Sequence, residues 1–165
     1  MNGVPIELAA KVLVVSDGVA AGVRADTSGP QLVERLVDVG FDVLEHRITP
    51  DGIDEVADAL RELTAGFSGL VVTTGGTGFG PRDLTPEGTR RVIDREAPGL
   101  AEAMRRESDT SGHPFGMLSR GVCGVVAGSL VCNLPGSTSG ALDCLDVVLP
   151  AIVHALDLLA GGRPH

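Results

Sequence analysis

Apolar residues occur in short runs whose period changes along the chain. Residues 11–16, KVLVVS, form an apolar run ending at Asp17-Gly18, which predicts a strand. Residues 20–29 are polar and read as a loop. Pro30 then stands where the first helical residues belong, with Ser28-Gly29 as the cap region. Leu32, Val33, Leu36 and Val37 recur at helical spacing, and Gly40 supplies a left-handed C-terminal cap. Residues 42–48, DVLEHRI, alternate as a strand does. Pro50-Asp51-Gly52 turns the chain, and Ile53, Val56, Leu60 and Leu63 mark a second helix. GLVVTT at 69–74 is too short for a helix and reads as a buried strand.

Thr85-Pro86-Glu87 is a helix start: a capping hydroxyl, Pro at the first helical position and an acid in the first turn. That helix is expected to run to about Glu96, where Pro98-Gly99 breaks it, with a further helix over 100–107. Residues 108–121 read mostly as loop. Two strands, 121–127 and 130–133, flank Gly128-Ser129, and Pro135-Gly136-Ser137 turns into a helix over 139–160 that is kinked or restarted at Pro150. Alternating strands and helices predict an α/β fold: a single three-layer domain over residues 1–165, with a mostly parallel sheet and helices on both faces. Such sheets bind ligands in the loops after the carboxyl ends of their strands.

Charge narrows the function classes. Thirteen Lys and Arg against 22 Asp and Glu give a formal net charge of −9 in 165 residues, with no Trp or Tyr and only four Phe. The chain lacks the basic footprint of a nucleic-acid or anionic-membrane binder, and it lacks stacking platforms for single strands. No apolar run reaches the length of a membrane span, and no cationic stretch precedes an apolar block at the N-terminus. Cys123, Cys132 and Cys144 have no zinc spacing and read as small buried apolar side chains. Their odd number, with no signal peptide, predicts a reducing cytoplasm. His46, His113, His154 and His165 are scattered, with no pair at ligand spacing.

The main chemical signal is the loop GGTGFGPRD, from Gly75 to Asp83. Gly75, Gly76, Thr77 and Gly78 leave a strand with three glycines in four residues, a pattern that lets backbone N–H groups converge on an anion. A purely structural turn has the same composition. The loop is not a Walker A loop, because no Gly-Lys-Ser/Thr follows. It is not a dinucleotide fingerprint either, because Pro81 stands where the third Gly belongs. Arg82 is placed to clamp a phosphate and Asp83 to hold a magnesium ion, or the two form an exposed ion pair at a helix start. Asp51, between a strand and a helix, is a second carboxylate at the same sheet edge or simply a turn aspartate; Ser16-Asp17 carries the same ambiguity.

TTGGTGFGPRDLTPEGTRRVIDREAPGL at 73–100 resembles the central motif of the MogA/MoaB family of molybdenum-cofactor biosynthesis proteins. VVSDGVAAG and DTSGPQL near the start, LSRGVCGVVAGSLVCNLPGSTSG at 118–140 and the final helix extend the match over nearly the whole chain. The resemblance implies an α/β fold, a homotrimer, and Mg²⁺-dependent adenylylation: the terminal phosphate of molybdopterin attacks the α-phosphate of ATP and pyrophosphate leaves. It also implies that Asp51 and Asp83 are the catalytic, metal-holding aspartates and that Gly75, Gly76, Thr77 and Gly78 form the substrate loop. Ser129, Asn133, Pro135, Gly136 and Ser137 correspond to the motif near the pterin, and Arg82 lies on the same string. Thr138 stands where adenylyltransferases often carry a further Pro. In this it looks more like the MoaB branch, which implies the alternative of a non-catalytic pterin-binding or assembly protein.

Overall fold

The computed structural model describes residues 8–110, 112 and 114–162. His113 and His165 lie outside them. The elements are β1 (Ala9–Val15), α1 (Asp17–Ala20), α2 (Ser28–Asp38), β2 (Asp42–Thr49), α3 (Ile53–Thr64), β3 (Leu70–Thr74) and α4 (Thr85–Arg90). Then follow β4 (Arg95–Glu96), α5 (Pro98–Thr110), a 3₁₀ turn (Pro114–Leu118), β5 (Cys123–Val126), β6 (Ser129–Leu134) and α6 (Thr138–Leu159). One six-stranded sheet has the order β2-β1-β3-β6-β5-β4. The first four strands are parallel; β5 and β4 add an antiparallel edge.

The period-2 geometry of the strands sends alternate side chains to opposite faces. Val12, Leu70, Val72, Leu130 and Cys132 pack on one face with Leu32 and Leu36 of α2, Met104 of α5 and Leu145 and Ile152 of α6. Leu13, Val15, Val71 and Val131 pack on the other with Val56, Leu60 and Leu63 of α3. Helices therefore cover both faces, which is why the central strands are apolar throughout. Among the described residues no helix is long and apolar enough to cross a membrane.

Four local expectations are corrected. Asp17–Ala20 is a helical turn where only the strand end at Asp17-Gly18 and a loop from Ala20 were expected, capped by Ser16 Oγ accepting from the Val19 N–H at 3.3 Å. The helix from Thr85 stops at Arg90, six residues short of Glu96, because Asp94 N–H donates to Val125 O and starts an edge strand the sequence did not suggest. Pro98 opens α5 rather than merely separating two helices, and α5 runs to Thr110. The final helix is continuous through Pro150, which lies on the exposed side. The carbonyl of Asp146, which Pro150 leaves without its helical donor, also belongs to an exposed residue.

Candidate active site

The carboxyl ends of β1, β2, β3 and β6 deliver four loops to one edge of the sheet, and hydrogen bonds between them fix their arrangement. Thr74 Oγ1 donates to Pro135 O at 2.7 Å, and Gly75 N–H donates to Leu134 O at 3.3 Å. Thr85 Oγ1 donates to Gly75 O at 2.9 Å and Thr85 N–H to Gly76 O at 3.0 Å, closing the loop onto the start of α4. Gly75 and Gly76 have φ of 103° and 65°, the left-handed region that favours glycine. Gly75 also presses on the β1 terminus: a Cβ there would stand 2.2 Å from Val15 O. Gly78 has no such φ. Its role is proximity, since a Cβ would stand 2.9 Å from Asp83 Oδ2.

Asp17 and Asp51 exchange hydrogen bonds. Asp17 N–H donates to Asp51 Oδ2 at 2.8 Å, and Asp51 N–H donates to Asp17 Oδ1 at 3.1 Å. Arg82 completes the group by donating to both Asp17 oxygens, at 3.0 and 3.1 Å, and to Asp51 O. Those bonds hold Asp17 below the ordinary carboxylate range. Asp51 moves the opposite way: burial raises it first, and the charges of Asp17 and Asp83 add to that, against the backbone bond from Asp17. Asp83 Oδ2 accepts from Gly80 N–H at 2.9 Å. Asp51 Oδ1 and Asp83 Oδ1 accept no hydrogen bond from the described residues.

Asp51, Asp83, Gly76, Gly136 and Ser137 border one depression of about 490 Å³. Two sets of backbone N–H groups have no protein acceptor among the described residues: those of Gly76, Thr77 and Gly78, of which Gly76 borders this depression, and the first turn of the 22-residue α6, whose N-cap Ser137 borders it and makes no side-chain cap. Unpaired donors on a glycine loop and at a helix N-terminus attract anions. No three His, Cys, Asp or Glu side chains among the described residues gather to hold a metal unaided. Two mutually repelling carboxylates with open oxygens nonetheless fit Mg²⁺, which keeps several waters and uses one or two carboxylates with substrate phosphates.

Asp51, Asp83, Arg82 and the glycine loop thus come together with Pro135, Gly136 and Ser137. One expected residue, Ser129, does not join them, and another, Asn133, lies beneath them and lines the cavity beside Pro135 and Ser137. Ser129 begins β6, five residues and roughly 17 Å from the site edge, and its hydroxyl donates to Phe67 O at 2.8 Å. Asn133 is buried. Its Nδ2 donates to Thr73 Oγ1 and Thr89 Oγ1, both at 3.0 Å, and its Oδ1 accepts from Val122 N–H at 3.1 Å, so it ties the strands beneath the site together. A neighbouring cavity of about 260 Å³ opens beside Pro135 and Ser137 and contains Met104, Phe115 and Arg105. Arg105 donates only to backbone carbonyls, of Ser119 and Gly121, and forms no ion pair among the described residues. Sequence reasoning passed over it because helical periodicity marks only the apolar residues of α5.

The charge pattern sets a pH dependence. A carboxyl raised by folding binds its proton more tightly in the native state, so its ionisation destabilises the fold as pH rises through the raised value. Asp51→Asn removes that cost while an amide oxygen still accepts from Asp17 N–H. Without added metal, the melting temperature of Asp51→Asn relative to the parent should rise from pH 4 to pH 7. A difference that stays flat would mean Asp51 is not held in a repulsive site.

Residues 11–154 match the probable molybdopterin binding domain family. The chain is 39% identical over 154 residues to a molybdopterin adenylyltransferase of Helicobacter pylori, covering 92% of this chain and 87% of that protein. It is 41% identical over 150 residues to a molybdenum cofactor biosynthesis bifunctional protein of Chlorobaculum tepidum; the match takes in 91% of this chain but spans only 48% of that relative's length. The solved structure of the molybdopterin biosynthesis enzyme MoaB from Thermus thermophilus superposes with a TM-score of 0.83 at 43% identity, over 95% of this chain and 98% of that one.

Proposed function

The chain belongs to the molybdopterin-binding family of molybdenum cofactor biosynthesis proteins, and we propose that it adenylylates molybdopterin with ATP, acting as one domain over its 165 residues. The observation that carries this reading is the convergence of unpaired backbone donors with two open carboxylates in a protein of net charge −9. An acidic protein that builds such a place has made it for an anion accompanied by a cation. The name of the Helicobacter pylori relative supports the same activity.

The chemistry needs little from side-chain bases. A phosphate nucleophile is already ionised at neutral pH, so the barrier lies in bringing two anions into line. Asp51 and Asp83 would hold Mg²⁺, which supplies neutralising charge to the phosphates when bound. The N–H groups of Gly76, Thr77 and Gly78 and of the α6 first turn receive phosphate oxygens. Arg82 keeps Asp17 and the Asp51 backbone in place. The cavity beside Pro135 and Ser137 offers apolar walls for a flat heterocycle, with Arg105 facing an anionic group. Release of pyrophosphate from ATP only when molybdopterin and Mg²⁺ are present is the expected result.

A second reading, non-catalytic pterin binding of the MoaB type, is favoured by Thr138. Its Oγ1 lies 3.2 Å from Thr27 Oγ1 and ties the α6 start to the loop before α2, a contact the further Pro found in many adenylyltransferases would not make. Molybdopterin binding without pyrophosphate release would select that reading. A homotrimer in the cytoplasm completes the proposal. Phe115, Met117 and Leu118 are 75%, 64% and 46% exposed on one 3₁₀ turn, an apolar patch suited to an interface. Light scattering should give about three times the chain mass, a ring whose cyclic symmetry leaves no interface open; a monomer at micromolar concentration would refute it.

A further inference from the structure

Residues 77–83 carry Asp83 yet have few attachments. Gly80 and Asp83 bond to each other, which holds the turn to itself. Among the described residues, only two side chains and one backbone N–H fasten this segment to the rest of the protein. Arg82 reaches Asp17 and Asp51 on one flank. Arg120, 37 residues beyond Asp83, supplies every attachment on the other. Its N–H donates to Thr77 O at 2.9 Å, its Nε to Gly78 O at 2.8 Å and its Nη2 to Asp83 O, while Nη1 pairs with Glu87 of α4.

We infer that Arg120 is a positioning residue: it presets the glycine loop and Asp83 for the cation and phosphates, with Glu87 aiming the guanidinium. This rests on the adenylylation reading above. The planar fork of an arginine meets carbonyls in fixed directions from Nε and Nη2 while a third nitrogen holds the carboxylate. A lysine keeps the charge and the backbone N–H contact but cannot reach Gly78 O, Asp83 O and Glu87 together. Glu87 lies in the first turn of α4, and the Arg120 guanidinium holds its carboxyl below the ordinary range.

The test uses the full chain with Arg120→Lys, Asp83→Asn and the double variant. Arg120→Lys should melt near the parent temperature and lower kcat about ten- to a hundredfold, the scale of a misplaced catalytic group, with little change in KM for molybdopterin. Because Arg120 acts through Asp83, the double variant should be only slightly slower than Asp83→Asn. Losses that multiply would overturn the inference, since residues working through one another do not add. Hydrogen exchange supplies a readout without turnover: the amides of Gly80 and Asp83, which have acceptors within the turn, should exchange about tenfold faster in Arg120→Lys while those of β3 do not. Unchanged loop protection also overturns it. If Arg120→Lys does not fold, Glu87→Gln, which leaves the loop contacts in place but frees the guanidinium, should show smaller changes of the same kind. A parent protein that releases no pyrophosphate defeats the adenylylation reading, and the exchange experiment then decides the clamp alone.

Discussion

Replacing Asp83 by Asn is expected to leave the fold intact and to slow the proposed Mg²⁺-dependent adenylylation about a hundred- to a thousandfold, the usual cost of a lost transition-state electrostatic contact. The structural role of Asp83 survives the change. Its Oδ2 accepts from Gly80 N–H, and an amide oxygen accepts the same bond. What Asn cannot supply is an ionised Oδ1 facing the depression. Asp83 also precedes α4 by two residues, so it is not a first-turn acid whose removal would cost helix stability. A single-turnover assay with saturating ATP separates the two roles. Near-parent rates would remove Asp83 from the mechanism.

The largest expected loss of stability belongs to Gly75→Ala. At φ 103° the new residue is strained wherever its methyl goes, and the methyl itself would stand 2.2 Å from Val15 O, a backbone atom in a central strand. Neither partner can yield without disturbing β1 or β3. Strain of about 1–3 kcal/mol and overpacking of about 1–3 kcal/mol together predict roughly 2–6 kcal/mol. For a chain of this size that is a fall in melting temperature of about 4–24 °C. Gly78→Ala is the contrast: its one close neighbour is the Asp83 carboxylate, so it should melt almost normally but turn over slowly. Denaturation followed by circular dichroism reads the first effect. Equal stability of the two variants would show that the loop is not under backbone constraint.

The central strands were legible because nothing else explains KVLVVS and LVVTT between turn signals: both faces of these strands are covered, so the pattern is uniformly apolar. The edge strand Arg95–Glu96 was not, because two charged residues on the sheet margin owe their conformation to β5 rather than to their own propensity. The helical reading through to Glu96 gave way to that pairing. At the site, the aspartates and the glycine loop stand on the motif and could be named. Their pairing with Asp17 could not, since reciprocal bonds between two strand ends depend on the neighbouring placement of β1 and β2. Arg120 lay within a string already matched to the family, yet its contacts are set by where the chain returns after α5. Ser129 shows the converse: motif membership carried it into the site, but its position at the start of a parallel strand puts it on the far edge.

The bonds that assemble the site join residues far apart along the chain: 34 residues separate Asp17 from Asp51, 61 separate Thr74 from Pro135, and 65 separate Arg82 from Asp17. Closing loops of that length has an entropic cost that no local helix can offset. The helices α2, α3 and α6 have enough local contact to form early, whereas the parallel pairing of β1, β3 and β6 that delivers the four loops must wait for the chain ends to meet. During refolding from denaturant, the signal for helix should therefore recover before the capacity to bind phosphate. A chain still emerging from the ribosome has no site at all until the segment after β6 is released, and the glycine loop stays an open, uncommitted turn until then.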